Sequence, residues 1–134
     1  MSAFQAVRQW MAQSTVAHVG FGFLAMGAWA VFANRAHPVE QALLAGLVQG
    51  TISGLLTLVL KKFLEWVSAR LSGVLALILP PLITASCILA ILTTAHTLAG
   101  TPEILATIAV PFTVSTSYAI LYNLSLWRRR HERQ

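Results

Sequence analysis

Three polar side chains stand four residues apart in the stretch GLVQGTISGLLT, residues 46–57: Gln49, Ser53 and Thr57. Three glycines, Gly46, Gly50 and Gly54, repeat at the same interval beside them. On a helix the two rows lie about 60° apart, so a polar face borders a groove. The polar row continues through Lys61 to Glu65. An amide such as Gln49 finds nothing to bond in hydrocarbon, so it is expected to face protein or a wet cavity. The glycines read as helix-packing residues, because association in lipid depends on small residues and close backbone approach. They mark either the inner face of a bundle or a seam with another subunit.

A second polar arc lies further along. Thr107, Pro111, Ser115, Tyr118 and Tyr122 fall within about 80° of one helical face. Pro111 frees a backbone carbonyl that a hydroxyl or water must take up. Ser86, Thr93 and Thr97 share a face of the segment before it. Two readings stand side by side. These hydroxyls can act as glue, bonding carbonyls of their own helices. Alternatively, Gln49, Ser53, Thr57, Ser115, Tyr118 and Tyr122 line a transport path through a polar interior. His18, about one turn inside the first apolar run, joins that set or simply bonds within the bundle. Lys61, Lys62, Arg128, Arg129 and Arg130 would form a headgroup-binding rim, each attracting anionic lipid by about 1 kcal/mol.

The missing chemistry discriminates as sharply. The chain has no Asp, and its four Glu lie towards the ends of the apolar runs. Proton-coupled pumps usually hold a carboxylate inside the membrane. His37, Glu40, His96 and Glu103 gather at the end opposite the basic rim and are residue types that bind zinc. Nothing in their spacing fixes a mutual distance, so they read as helix caps and interface residues, and no metal or cofactor is expected. No GxSxG, HExxH, P-loop or Cys–His pair occurs, so no enzyme is expected. Cys87, the single cysteine, reads as a small buried hydrophobe.

The elements that must position these residues follow from composition. Of 134 residues 57% are hydrophobic and 10% charged, with mean hydropathy +0.72. A soluble domain carries about 25% charged residues. The expectation is an all-α integral membrane four-helix bundle forming a single transmembrane domain, 1–134. Its helices are placed at about 14–33, 39–60 with an extension towards 71, 73–98 and 103–126, each near the roughly 20 residues a span needs. Residues 1–13 form an amphipathic lead-in with Trp10 at the interface. The first run is too long for a signal peptide core of about 7–15 residues and reads as a retained helix. "GTPE", 100–103, offers Thr101 as helix cap, Pro102 at the first helical position and Glu103 in the first turn. "HPVE", 37–40, repeats the pattern with His37 as the cap.

Eight of the nine Lys and Arg lie before the first run, between the second and third, or after the fourth; Arg35 is the exception. The positive-inside rule then puts both termini in the cytoplasm, with Trp10, Trp66 and Trp127 at that interface and Trp29 at the other. The expected location is a bacterial cytoplasmic (inner) membrane. The pI near 10.4 is explained by juxtamembrane charge, and no nucleic-acid partner is expected.

In size, span number and basic tail the chain is similar in outline to the GtrA-like proteins, which are linked to moving polyprenyl-phosphate sugars. No residue role is carried over from that likeness. Small multidrug exporters fit poorly, because the carboxylate of their first helix is absent. The expected function is a homo-oligomeric carrier or flippase-like transporter of an anionic amphiphile or lipid-linked intermediate. Its partners are membrane lipids and parallel copies of itself, since the charge bias fixes one orientation. The alternative is a non-catalytic accessory or assembly subunit that docks a larger membrane protein through its glycine face.

Overall fold

Ser2 opens the first helix with a reciprocal cap. Its hydroxyl accepts from the Gln5 amide, and the Gln5 side chain accepts from the Ser2 amide. The computed structural model describes residues 2–133. Helix α1 (Ala3–Gln13) leaves Phe4, Val7 and Trp10 exposed, as an amphipathic lead-in would. Ser14 takes extended backbone and caps the Ala17 amide, turning the chain into α2 (Thr15–Ala33). Then come α3 (Val39–Ser68), α4 (Leu75–Leu98) and α5 (Ile104–Glu132).

Helices α2 to α5 are each long and apolar enough to cross a membrane. The chain is a helical membrane bundle in which α3 packs against α2, α4 and α5. The described termini and the α3–α4 turn share one end, called here the basic end. The turns 34–38 and 99–103 lie at the far end. The core is small: Leu60, Leu64, Ile88, Leu92, Ile108 and Ala119. Leu24, Leu47, Leu55, Leu82 and Leu121 point outward, as residues facing lipid do. Cys87 is exposed too, which corrects the expectation of burial. The second span reaches Ser68, and the fourth passes 126 to end at Glu132. Arginines continue that helix readily and suit its negative C-terminal end.

The glycine row on α3 is filled from within the chain. A Cβ at Gly46 would lie 3.0 Å from the Gly27 carbonyl oxygen, and one at Gly50 2.8 Å from the Phe23 carbonyl oxygen. Helix α2 therefore seats its backbone in the groove, with Gly27 as the matching small residue. The row is the inner face of the bundle, so it supplies no argument for a second copy.

Two buried asparagines hold the helices in register. Pro80 and Pro81 lie inside α4 and carry no amide hydrogen, which frees the carbonyls of Ala76 and Leu77. Asn123 of α5 donates one amide hydrogen to each, at 3.0 and 2.9 Å. At the far end Asn34 closes α2 by donating to the Ala30 carbonyl at 2.8 Å. It also donates to the Thr107 hydroxyl at 2.8 Å and accepts from the Glu103 amide at 2.9 Å. Asn34 thus caps α5 from another helix.

That arrangement corrects the expected caps. Helix α5 starts at Ile104 after Glu103, so Thr101 is not its cap and Pro102 and Glu103 stand outside the first turn. Helix α3 starts after Pro38, so His37 is not a cap either, while Glu40 does sit in the first turn. Thr101 instead completes the end of α4. Gly100, at φ +70°, lets the chain turn back so that the Gly100 amide bonds the Thr97 carbonyl and the Thr101 amide bonds the His96 carbonyl.

Candidate functional site

Helices α2 and α5 meet at the far end, where the Trp29 indole donates to the Ala106 carbonyl at 2.9 Å and Asn34 reaches Thr107. Towards the basic end they leave a cavity of about 580 Å³ between them, with α3 as its floor. Phe21, Met26, Leu56, Leu60 and Val114 supply apolar walls. His18, Ser53, Thr57, Ser115 and Tyr118 bring in polar atoms, and Lys61 brings a cation nearest the basic end. Phe21, Val114 and Tyr118 are 70, 53 and 40% exposed. The cavity is therefore a crevice open between α2 and α5. Gly22 belongs to its wall, where a Cβ would come within 2.9 Å of the Thr57 hydroxyl. The Thr57 hydroxyl donates to the Ser53 carbonyl four residues back at 2.8 Å.

Five residues expected on a transport path thus share one cavity: His18, Ser53, Thr57, Ser115 and Tyr118. Two do not line it. Gln49 is fully buried behind the crevice. It accepts from His96 Nε2 at 2.9 Å and donates to the Ser53 hydroxyl at 2.9 Å. Tyr122 lies outside the lining and donates to the Glu65 carboxylate. It stacks on Tyr118 with ring centres 5.6 Å apart. Glu65 also lies 3.9 Å from the Lys61 ammonium. Ser86 and Thr97 are exposed on α4 and bond the Leu82 and Thr93 carbonyls of their own helix, outside the lining of this crevice.

The basic rim divides. Lys61 lines the crevice. Lys62 and Arg128 are exposed. Arg129 bonds the Ser125 hydroxyl at 3.2 Å. Arg130 donates to the Ser68 carbonyl at 2.6 Å, closing the end of α3. Arg70 lies over the Trp66 ring at 3.7 Å, and the Trp127 indole donates to the Gly73 carbonyl at 3.0 Å. The Arg130 and Trp127 contacts tie the end of α3 and the α3–α4 turn to α5.

The four far-end residues also divide. His37 and Glu103 pair at 3.0 Å. Glu40 is exposed, and His96 is buried with its ring between Gln49 and Thr101. Among the described residues no three His, Cys, Asp or Glu side chains group closely enough to hold a metal ion.

Sequence reasoning did not find Asn34, Asn123 or the His96–Gln49 contact. The signal for Asn123 was present: adjacent prolines in one span require a donor from another. The partners lie 47 residues apart in each of the pairs Asn123–Ala76 and His96–Gln49, so no local pattern joins them. No protein-family model, curated protein or solved structure matches the chain.

Proposed function

We propose that this chain is a small carrier for an anionic amphiphile, such as a lipid-linked intermediate. The supporting observation is the crevice between α2 and α5. Its apolar walls suit an acyl or isoprenoid chain. The hydroxyls of Ser53, Thr57, Ser115 and Tyr118 give sparse polar contacts along the way. Lys61 stands where an anionic headgroup would pair at the membrane surface. In this reading both termini and the basic end face the cytoplasm of a bacterial inner membrane. An amphiphile enters sideways from the cytoplasmic leaflet, with its chain in the crevice and its headgroup at Lys61. Lys62 and Arg128 add long-range attraction. The accessory-subunit reading loses its docking face, because α2 covers the glycine row.

The test is transbilayer movement of fluorescent phosphatidylglycerol in phosphatidylcholine vesicles containing the purified chain, read by dithionite quenching. Ser115→Phe fills the crevice and is expected to abolish movement. Lys61→Gln is expected to slow phosphatidylglycerol more than a neutral fluorescent lipid. Undiminished movement in both variants would overturn the proposal.

A further inference from the structure

At the mouth of the crevice a carboxylate stands beside the cation. Lys61 and Glu65 are four residues apart on α3, a spacing at which opposite charges meet on a helix. They do not close on one another. Lys61 Nζ lies 3.9 Å from Glu65 Oε1, beyond the reach of a hydrogen bond. The same oxygen, Glu65 Oε1, accepts from the Tyr122 hydroxyl of α5. The carboxylate is therefore held from another helix, and at the oxygen that faces Lys61. Tyr122 is held in turn by its ring, which lies parallel to the Tyr118 ring with centres 5.6 Å apart. Tyr118 lines the crevice and Tyr122 does not. The Arg129 guanidinium is engaged on its own helix, by the carbonyl and the hydroxyl of Ser125 at 3.4 and 3.2 Å.

We infer that Tyr122 is a positioning residue: by holding Glu65 off Lys61 it leaves the ammonium free for an anionic headgroup. The inference rests on the carrier reading above and deepens its headgroup contact. An ammonium offers three N–H donors and no acceptor, so carboxylate and headgroup compete for the same hydrogens. A headgroup arriving at a closed Lys61–Glu65 pair would have to displace the carboxylate. The Tyr122 hydroxyl gives that carboxylate a neutral donor instead, so the carboxylate gains less from moving onto Lys61. Lys61 and Glu65 are 62 and 43% exposed at their side chains, so the competition takes place in contact with water. It is then worth what an exposed ion pair is worth, a factor of about two to five in affinity. The Tyr122 hydroxyl lies outside the lining, so it acts on the headgroup through Glu65 and Lys61 and leaves the apolar walls alone.

The experiment measures binding of two lipids by the full chain in phosphatidylcholine nanodiscs. Phosphatidylglycerol carries the anionic phosphodiester, and diacylglycerol with the same acyl chains carries no charge. Tyr122→Phe keeps the ring and its stack and removes only the hydroxyl. It is expected to weaken phosphatidylglycerol about two- to fivefold and to leave diacylglycerol unchanged. Glu65→Gln keeps the size and an acceptor for Tyr122 and removes the competing charge, so it is expected to tighten phosphatidylglycerol. In a Glu65→Gln background, Tyr122→Phe is expected to do nothing more, because the hydroxyl then has no charge to restrain. Should Tyr122→Phe fail to fold, the direction of the Glu65→Gln effect decides alone. Weaker phosphatidylglycerol binding in Glu65→Gln would make Glu65 a direct ligand contact and overturn the inference. So would an equal effect of Tyr122→Phe in both backgrounds, or an equal effect on both lipids. Each of these leaves the carrier proposal standing, whereas absence of phosphatidylglycerol binding by the unaltered chain overturns both.

Discussion

Replacing Asn123 with Leu removes the donor for two carbonyls that α4 cannot satisfy itself. Asn123 is fully buried and its two bonds, to Ala76 and Leu77, are 3.0 and 2.9 Å long. Buried bonds of this kind contribute about 1 kcal/mol each. Asn123 Oδ1 has no partner, so the variant also relieves one unmet acceptor and offsets part of the loss. The expected net cost is roughly 1–2 kcal/mol, measured by unfolding in mixed micelles with increasing dodecyl sulfate. The discriminating step repeats the substitution in a Pro80→Ala, Pro81→Ala background. There α4 regains two amide donors for the same carbonyls, and Asn123 has nothing left to supply. Asn123→Leu should then cost nothing or stabilise. An equal cost in both backgrounds would refute the assignment of Asn123 as the partner of the prolines.

Gly50→Ala places a methyl 2.8 Å from the Phe23 carbonyl oxygen and should cost about 1–3 kcal/mol; Gly20→Ala, with nothing within 4 Å, should gain about 0.5–1 kcal/mol. The same unfolding assay reads both, and similar effects at the two sites would show that α2 does not seat on that row. Asn34→Ala removes contacts with the Ala30 carbonyl, the Thr107 hydroxyl and the Glu103 amide and should cost about 2 kcal/mol. Hydrogen exchange at the start of α5 should rise in that variant, and unchanged protection would argue against a cap from α2. Arg130→Gln should loosen the end of α3, seen as faster exchange near Ser68, while Arg133→Gln should leave that segment unchanged.

Span number and approximate limits were legible because length and apolar content decide them. The inward orientation of Gln49 was legible too, since an amide cannot be left in hydrocarbon. Its partner was not. His96 looked like an end residue grouped with His37, Glu40 and Glu103, and only the turn at Gly100 folds Thr101 back to seal it inside. The glycine row announced a close contact without saying with what, because the matching small residue on α2 is the single Gly27. The α5 cap was misread because a side chain from the end of α2, Asn34, took over the task of a local one; α3 starts after Pro38 with no side-chain cap at all. For the crevice, helical periodicity gathered Ser53 with Thr57 and Ser115 with Tyr118. It could not show that His18 would face them, or that Tyr122 would turn to Glu65.

Photo-crosslinking tests most directly whether the crevice holds an amphiphile. Phosphatidylglycerol with a diazirine in its acyl chain is irradiated with the chain in phosphatidylcholine nanodiscs, and the labelled peptides are mapped. Labels concentrated within residues 17–26, 53–61 and 111–118, and displaced by unlabelled phosphatidylglycerol, are the expected result. Labels spread over the exposed Leu82, Leu89 and Ile91 of α4 as densely as over the crevice, and undiminished by competitor, would contradict it.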